Sequence, residues 1–279
     1  MTDLPSCLLE ISPPPKKLFT KGRVLEKDFI GIAMVGTRRP TPQGMALAKS
    51  IANRIGKIGI PIISGLADGI DTAAHEGCLE AGGRTVAVLG GGLDRIYPSR
   101  NEGLSRKIIL EGGSVISEYP EGVPPLKHHF LERNRIVAGL SSAVIVIEAP
   151  ERSGSISTAG HAAEFGREVL VFPGPVSHSN YRGSHALIRD GARLVSSIED
   201  IFEDLRIKEV NRQLSVPGMS NEASIIMKTL SLSVEPMTVD KLVFLTKLEP
   251  RSISAVITEL SLEGLVIGSN EGYSVHPGL

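Results

Sequence analysis

Short apolar runs alternate along most of the chain with longer stretches of mixed polarity. The runs fall at 32–35, 61–64, 85–89, 114–117, 143–147, 169–172 and 193–195. They are continuous rather than alternating, which predicts strands buried on both faces. Helical stretches lie between them, at 43–58, 72–81, 100–111, 133–140, 158–165 and 184–190. Strand–helix alternation of this kind predicts a parallel α/β sheet. In such a sheet the crossover and switch-point rules put the functional crevice at the carboxyl ends of the strands. The unusual residues of this chain cluster at those ends.

The pattern covers 29–207, the predicted core. Residues 1–28 form a Pro-rich arm; Pro13, Pro14 and Pro15 rule out helix interior there, so the arm is expected to lie extended on something else. Residues 208–220 read as a polar linker. From 221 to 279 the pattern changes: helices at 222–230, 239–245 and 251–263, then strands at 265–267 and 273–275 around "GSNEG". Three helices and a terminal hairpin outline a winged helix, a fold that usually reads DNA. Residues 219–279, however, carry four Lys and Arg against seven Asp and Glu. A duplex reader needs several phosphate-neutralising cations. The balance favours a module that binds protein, or a vestigial appendage.

Composition adds limits. With 279 residues, 41% hydrophobic and 22% charged, the chain has the make-up of a folded globular protein. Its net charge of −1 means that any polyanion site is a local patch. Cys7 and Cys78 lie far apart and outside ligand spacing, against a disulfide scaffold or a structural zinc. The N-terminal "MTDLPSCLLEISPPPKK" lacks a signal-peptide layout. No apolar run approaches the roughly 18 residues needed to span a bilayer. The expectation is a reduced, cytoplasmic protein without a membrane partner.

Four strand ends carry the candidate chemistry. "VGTRRPTPQG" offers Thr37, Arg38 and Arg39 just before a helix, an anion-binding arrangement. The bland alternative is a surface turn whose arginines pair with carboxylates. "ISGLADGIDTAAHEG" brings Ser64 and Gly65 to the next strand end. Asp71 and His75 there suggest acid–base or metal chemistry, but a helix cap at Asp71 or Thr72 and an Asp71–His75 hydrogen bond explain them as well. "LGGGLDRIYP" leaves room for a ligand or for another backbone. "PERSGSISTAGHAAEFGR" supplies hydroxyls and free amides ahead of a helix. Its His161 and Glu164 amount to half a metal site at most, so no metal or other cofactor is expected.

The stretch "KHHFLERNR" is the oddest. It gathers Lys127, Phe130, Arg133, Asn134 and Arg135 before the most apolar run of the chain. Positive charge is unfavourable at a helix N-terminus unless an anion completes it. Cations beside an aromatic describe single-stranded nucleic-acid binding. With aromatics at 4% and no tryptophan, one or two stacking positions are expected. There is no dinucleotide fingerprint, no P-loop and no nucleophile elbow.

Five segments together resemble the DNA-processing protein A family (DprA/Smf): "VGTRRPTPQG", "ISGLADGIDTAAHEGCLEAGGRTVAVLGGGLDRIYP", "SEYPEGVPPLKHHFLERNRIVAGLSSAVIVIEA", "SGSISTAGHAAEFGREVLVFPG" and "GSHALIRDGA". The resemblance runs from about residue 4 to 205, and the tail resembles the family's C-terminal module. It implies an extended Rossmann-like, doubly wound, mostly parallel sheet with a small winged-helix-like domain. It further implies a homodimer that binds and protects single-stranded DNA and loads the RecA recombinase in natural transformation and recombination, with no enzymatic activity. Carried over motif by motif, the DNA pocket comprises Gly36, Thr37, Arg38, Ser64, Gly65, Lys127, Phe130, Arg133, Asn134, Arg135, Gly154 and Ser155. Two departures stand out: a short arm replaces a longer N-terminal helical domain, and His185 stands where an asparagine is usual.

Two rival readings remain open at this stage. One is a nucleotide phosphoribohydrolase of the lysine-decarboxylase-like Rossmann class, with Glu164 assisting glycosidic cleavage. The region "ERSGSISTAGHAAE" lacks the paired glycines of those enzymes. The other is an interaction scaffold whose acidic tail docks a partner.

Overall fold

The computed structural model of the chain describes residues 4–207, 220–231, 236–269 and 272–275. The chain divides into two compact units, Met1–Glu209 and Val210–Leu279. The first opens with a one-turn helix α1 (Ser6–Leu9) and a strand β1 (Phe19–Gly22). There follow β2 (Gly31–Gly36), α2 (Pro42–Lys57), β3 (Ile62–Ser64), α3 (Ile70–Glu80), β4 (Thr85–Leu89) and α4 (Glu102–Leu110). The chain continues with β5 (Ser114–Ser117), α5 (Lys127–Gly139), β6 (Ser141–Ile147), α6 (Gly154–Glu164), β7 (Glu168–Val171), α7 (Arg182–Arg189), β8 (Arg193–Leu194) and α8 (Ile198–Asp204).

The eight strands form one sheet in the order β1-β5-β4-β3-β2-β6-β7-β8. Only the β1–β5 pair is antiparallel. From β2 the chain steps outward to β5, then α5 carries it back to the other side of β2, where β6, β7 and β8 step the opposite way. The direction therefore reverses between β2 and β6, the switch point at which doubly wound sheets bind ligands.

The continuous apolar strands pack on both faces of the sheet, with a third cluster of Leu66, Leu79, Ala87, Leu89, Ile108 and Val115 beside α4. Ala33, Val35, Val144 and Val146 face one side, with α1, α5 and α6 packed over them. Ile32, Met34, Ala143 and Ile145 face the other, under α2, α3 and α8. Successive side chains point to opposite faces, so a strand covered twice must be apolar at every position. Each fully buried Ile or Val contributes about 1.5–3 kcal/mol.

The elements agree with the sequence pattern, with instructive exceptions. The arm is not merely extended: it holds α1 and adds β1 to the sheet edge, with Phe19 opposite Ser117. Its Leu8 and Ile11 pack on α5, where a side chain at Gly139 would meet both. Helix α8 is also additional, held by a capping box of Ser197 and Asp200. Most consequential, α5 begins at Lys127 and α6 at Gly154, several residues ahead of the expected starts at 133 and 158.

The second unit contains α9 (Asn221–Ser231), α10 (Val239–Thr246) and α11 (Pro250–Leu262), then the antiparallel strands β9 (Val266–Ser269) and β10 (Gly272–Val275). Its core joins Ile226, Leu230, Leu242, Ile253, Ile257 and Val266. This is a winged helix. The hairpin turn, and all of the expected 208–220 linker except Ser220, lie outside the described residues.

Candidate nucleic-acid interface

At the switch point the strand ends open into a cleft of about 690 Å³. Its walls are the loops after β2, β3, β4 and β6 and one face of α5.

The loop after β2 is fixed from β6. The Thr37 N–H donates to the Glu148 carbonyl at 2.7 Å. Glu148 itself is fully buried, with φ of +52°. Its carboxylate accepts from the Thr41 hydroxyl, from the Thr41 N–H at 2.9 Å, from Asn180 Nδ2 at 2.8 Å and from the Tyr181 hydroxyl at 3.1 Å. Burial pushes this carboxyl upward, but these hydrogen bonds outweigh it and hold the group below its ordinary range. Thr41 caps α2 in turn, accepting from the Gly44 N–H. Arg38 is left exposed at the cleft rim.

The loop after β3 surrounds Arg133. This guanidinium is buried and donates to the carbonyls of Gly65, at 2.7 Å, and Val88. A side chain at Gly65 would run into the guanidinium. Asp71 accepts from the N–H groups of Gly65 and Ala67, at 3.0 and 3.4 Å. Burial lowers the Arg133 pKa to about 10, against the opposing Asp71 charge. Burial also raises the Asp71 pKa, countered chiefly by Arg133. An arginine at about 10 remains charged at neutral pH, so the cleft floor carries a fixed cation.

The early start of α5 decides which of its residues share a face. Lys127, Phe130, Asn134 and Val137 follow helical spacing and line the cleft together, with Arg133 beneath. Arg135 falls on the other side and forms an ion pair with Glu118 at 2.6 Å. Leu126 stands at the N-cap of α5 without a side-chain cap, and the first turn has no acid, which leaves the amide end open to an anion. Across the cleft, α6 begins at Gly154, where Ser153 caps the Ser155 N–H and the two serine hydroxyls lie 2.6 Å apart. Asn134 Nδ2 donates to the Gly154 carbonyl at 3.1 Å, tying α5 to α6.

Ten of the twelve expected residues thus converge on the cleft: Gly36, Thr37, Arg38, Gly65, Lys127, Phe130, Arg133, Asn134, Gly154 and Ser155. Ser64 and Arg135 do not line it. The Ser64 hydroxyl turns inward and donates to the Met34 carbonyl at 2.7 Å.

Of the charged and aromatic cleft residues, Tyr97 and Arg152 escaped the sequence reading. Tyr97 is half exposed, with its ring 5.6 Å from that of Phe130. Arg38 lies over the Phe130 ring at 5.6 Å. Among the described residues no carboxylate pairs with Arg38, Lys127 or Arg152, so the paired-arginine alternative for the β2 loop does not hold for Arg38.

Other candidates take structural roles. His75 does not bond to Asp71; its Nδ1 lies 2.7 Å from the Thr85 hydroxyl, which donates to the Ile62 carbonyl at 2.8 Å. Nδ1 therefore carries the proton, and the buried Nε2 has no partner among the described residues. Burial and the nearby Arg133 charge lower the His75 pKa to about 3. Helix α3 has no side-chain cap at its N-terminus, so neither Asp71 nor Thr72 fills that role. The glycine run makes room for backbone and not for a ligand: side chains at Gly91 and Gly92 would meet residues 120–125, the approach to α5. His129 is buried, stacked on Tyr119 at 4.2 Å, whereas His128 is exposed. Glu164 ends α6, about 15 Å of helix from Gly154, and its side chain is 67% exposed; it is not part of the cleft wall. Among the described residues no three His, Cys, Asp or Glu side chains are grouped to hold a metal ion. Nor is any helix among them long and apolar enough to cross a membrane.

The cleft geometry can be set beside known proteins. Residues 1–206 match the model of the family described as DNA recombination-mediator protein A, and residues 220–268 match the DprA winged helix domain. The chain is 36% identical to Protein Smf of Synechocystis sp., over 95% of this chain and 75% of that protein. The X-ray structure of DNA processing protein A from Streptococcus pneumoniae aligns with a TM-score of 0.68 at 43% identity, covering 72% of this chain and 71% of the other. DNA processing protein A from Helicobacter pylori, known for a single-stranded DNA binding mode, aligns with a TM-score of 0.67 at 33% identity, over 74% of this chain and 94% of the other. With its core and its winged helix both matched, the chain belongs to the DNA recombination-mediator protein A (DprA/Smf) family.

Proposed function

We propose that the core unit binds and protects single-stranded DNA in the switch-point cleft, and that as a cytoplasmic homodimer the protein loads RecA recombinase on that strand during DNA uptake and homologous recombination. One observation carries the DNA reading. Arg38, Lys127 and Arg152 ring the cleft with no carboxylate partner among the described residues, above a buried Arg133 and beside the Tyr97–Phe130 pair. Free cations take backbone phosphates, and aromatic faces take bases whatever their sequence. The polar groups are arranged to hold a ligand, so the reading is of a binding protein and not of an enzyme. The relation to the Helicobacter pylori protein supports the choice of single strands. Membership of a recombination-mediator family supports the choice of RecA as partner, the dimer and the protective role.

The test is a salt titration of oligothymidylate binding by fluorescence anisotropy. Arg38→Ala together with Lys127→Ala is expected to weaken binding at least tenfold and to lower the salt slope by about 1.4, at about 0.7 for each phosphate contact on a single strand. Salt-independent binding that the double variant leaves unchanged would overturn the reading.

A further inference from the structure

The loop after β7, residues 172–181, lies on the same carboxyl edge as the cleft but outside its walls. The strand order sets the loops in a row along that edge: those after β4, β3, β2, β6 and β7. At about 4.8 Å per strand, the row from β4 to β7 spans about 19 Å. The cleft takes up the part from β4 to β6.

The β7 loop is bound tightly to its neighbours in the row. Asn180 Nδ2 donates to the Arg39 carbonyl at 3.0 Å and to Glu148 at 2.8 Å. The N–H groups of Gly183 and Ser184 donate to the Ala149 carbonyl at 2.9 and 3.1 Å, and the Ala149 N–H donates to the Ser184 hydroxyl at 3.0 Å. These bonds seat Arg182, at the start of α7, against the segment that leads to Arg152. His185 Nε2 lies 3.1 Å from the Gly174 carbonyl and steadies the base of the loop.

Its chemistry matches the cleft's. Residues 173–182 contain no acid. Arg182 is exposed and has no carboxylate partner among the described residues. His178 is exposed, oriented by the Asn180 N–H at 3.2 Å, with its ring edge-on to Tyr181.

We propose that the β7 loop is a second contact for the same DNA strand, with Arg182 on a backbone phosphate and the His178 ring against the next base. This rests on the single-strand reading of the cleft and extends its footprint by one loop.

Strand length separates the two ideas. Anisotropy with the full chain would compare oligothymidylates of about 4 and about 12 nucleotides, within the range of single-strand site sizes. The wild type should bind the longer one more tightly than the added number of equivalent binding registers explains. For the longer strand, Arg182→Ala with His178→Ala is expected to weaken binding about five- to tenfold, and Arg182→Ala alone to lower the salt slope by about 0.7. Arg182→Lys should restore the slope. The loss on the shorter strand should stay within about twofold, because that strand fills the cleft first. Equal losses at both lengths, or none at either, would overturn the second contact while leaving the cleft intact. Failure of the wild type to bind either strand would remove the cleft reading, and this proposal with it.

Discussion

Arg133 shows how much of the cleft's electrostatics depends on one side chain. Its guanidinium fills hydrogen-bond positions just after β3 and on β4 and offsets the buried Asp71. Arg133→Met is expected to cost about 3–5 kcal/mol in urea unfolding, because it leaves buried charge and carbonyls unanswered. Asp71→Asn added to it should recover part of that loss, as expected of coupled neighbours. His75 gives a pH prediction. Folded, it takes a proton only near pH 3; its ordinary value is 6.5. Between these the unfolded chain holds the extra proton, so His75's share of stability is complete above 6.5 and drains away as the pH falls toward 3. The slope is at most about 1.4 kcal/mol per pH unit. His75→Asn, which keeps a donor for Thr85, should flatten it in urea titrations at a series of pH values. At this scale the sequence showed Arg38, Lys127 and Phe130 plainly, since unusual residue types stood together. Tyr97 and Arg152 were hidden because each stands alone in its own loop and meets the others only through the sheet. The same cause misassigned His75: helical spacing pointed to Asp71, but Thr85 lay across the fold.

Among the elements, α5 matters most to the site. Its cationic, uncapped start is poor helix design and good anion-site design. Leu126→Asp supplies the missing cap and is expected to stabilise the protein by about 0.5–2 kcal/mol. The same carboxylate would oppose DNA at Lys127, so affinity should fall while the melting temperature rises. A gain in both would show that this helix end does not meet the strand. The sequence located α5 but placed its start late. Residues 127–132 lack apolar periodicity, and what holds them is non-local: His129 and Phe130 pack close to Gly90 after β4. Likewise α6 starts with small polar residues, which signal a cap rather than a helix.

For the whole molecule, the two units invite separate tests. A chain ending at residue 207 contains every cleft residue and the hydrophobic clusters of the sheet. It is expected to keep the single-strand affinity within about twofold and the full salt slope. The winged helix, with its excess of acids, should bind duplex DNA weakly when produced alone, as a duplex-binding titration would measure. If it docks a protein, RecA stimulation should fall in the shortened chain while DNA binding stays. Hydrophobic patterning changes character after residue 205, near the break between the two compact units at 209 and 210. The closing edge of the sheet was not legible: β1 is four residues long and half exposed, too short for any period to show.

That edge bears on how the chain is made. β1 lies near the N-terminus, yet its partner β5 lies beyond three strands and three helices of the core. During synthesis β1 leaves the ribosome long before β5 exists, and one wing of the parallel sheet assembles with its outer edge open. Closing so long a loop is slow relative to local contacts. An open strand edge is also where nascent chains stick to one another. β1, translated ahead of the rest of this sheet, is therefore among the later strands to dock, and the arm acts as a clasp that shuts the sheet once its inner strands are in place.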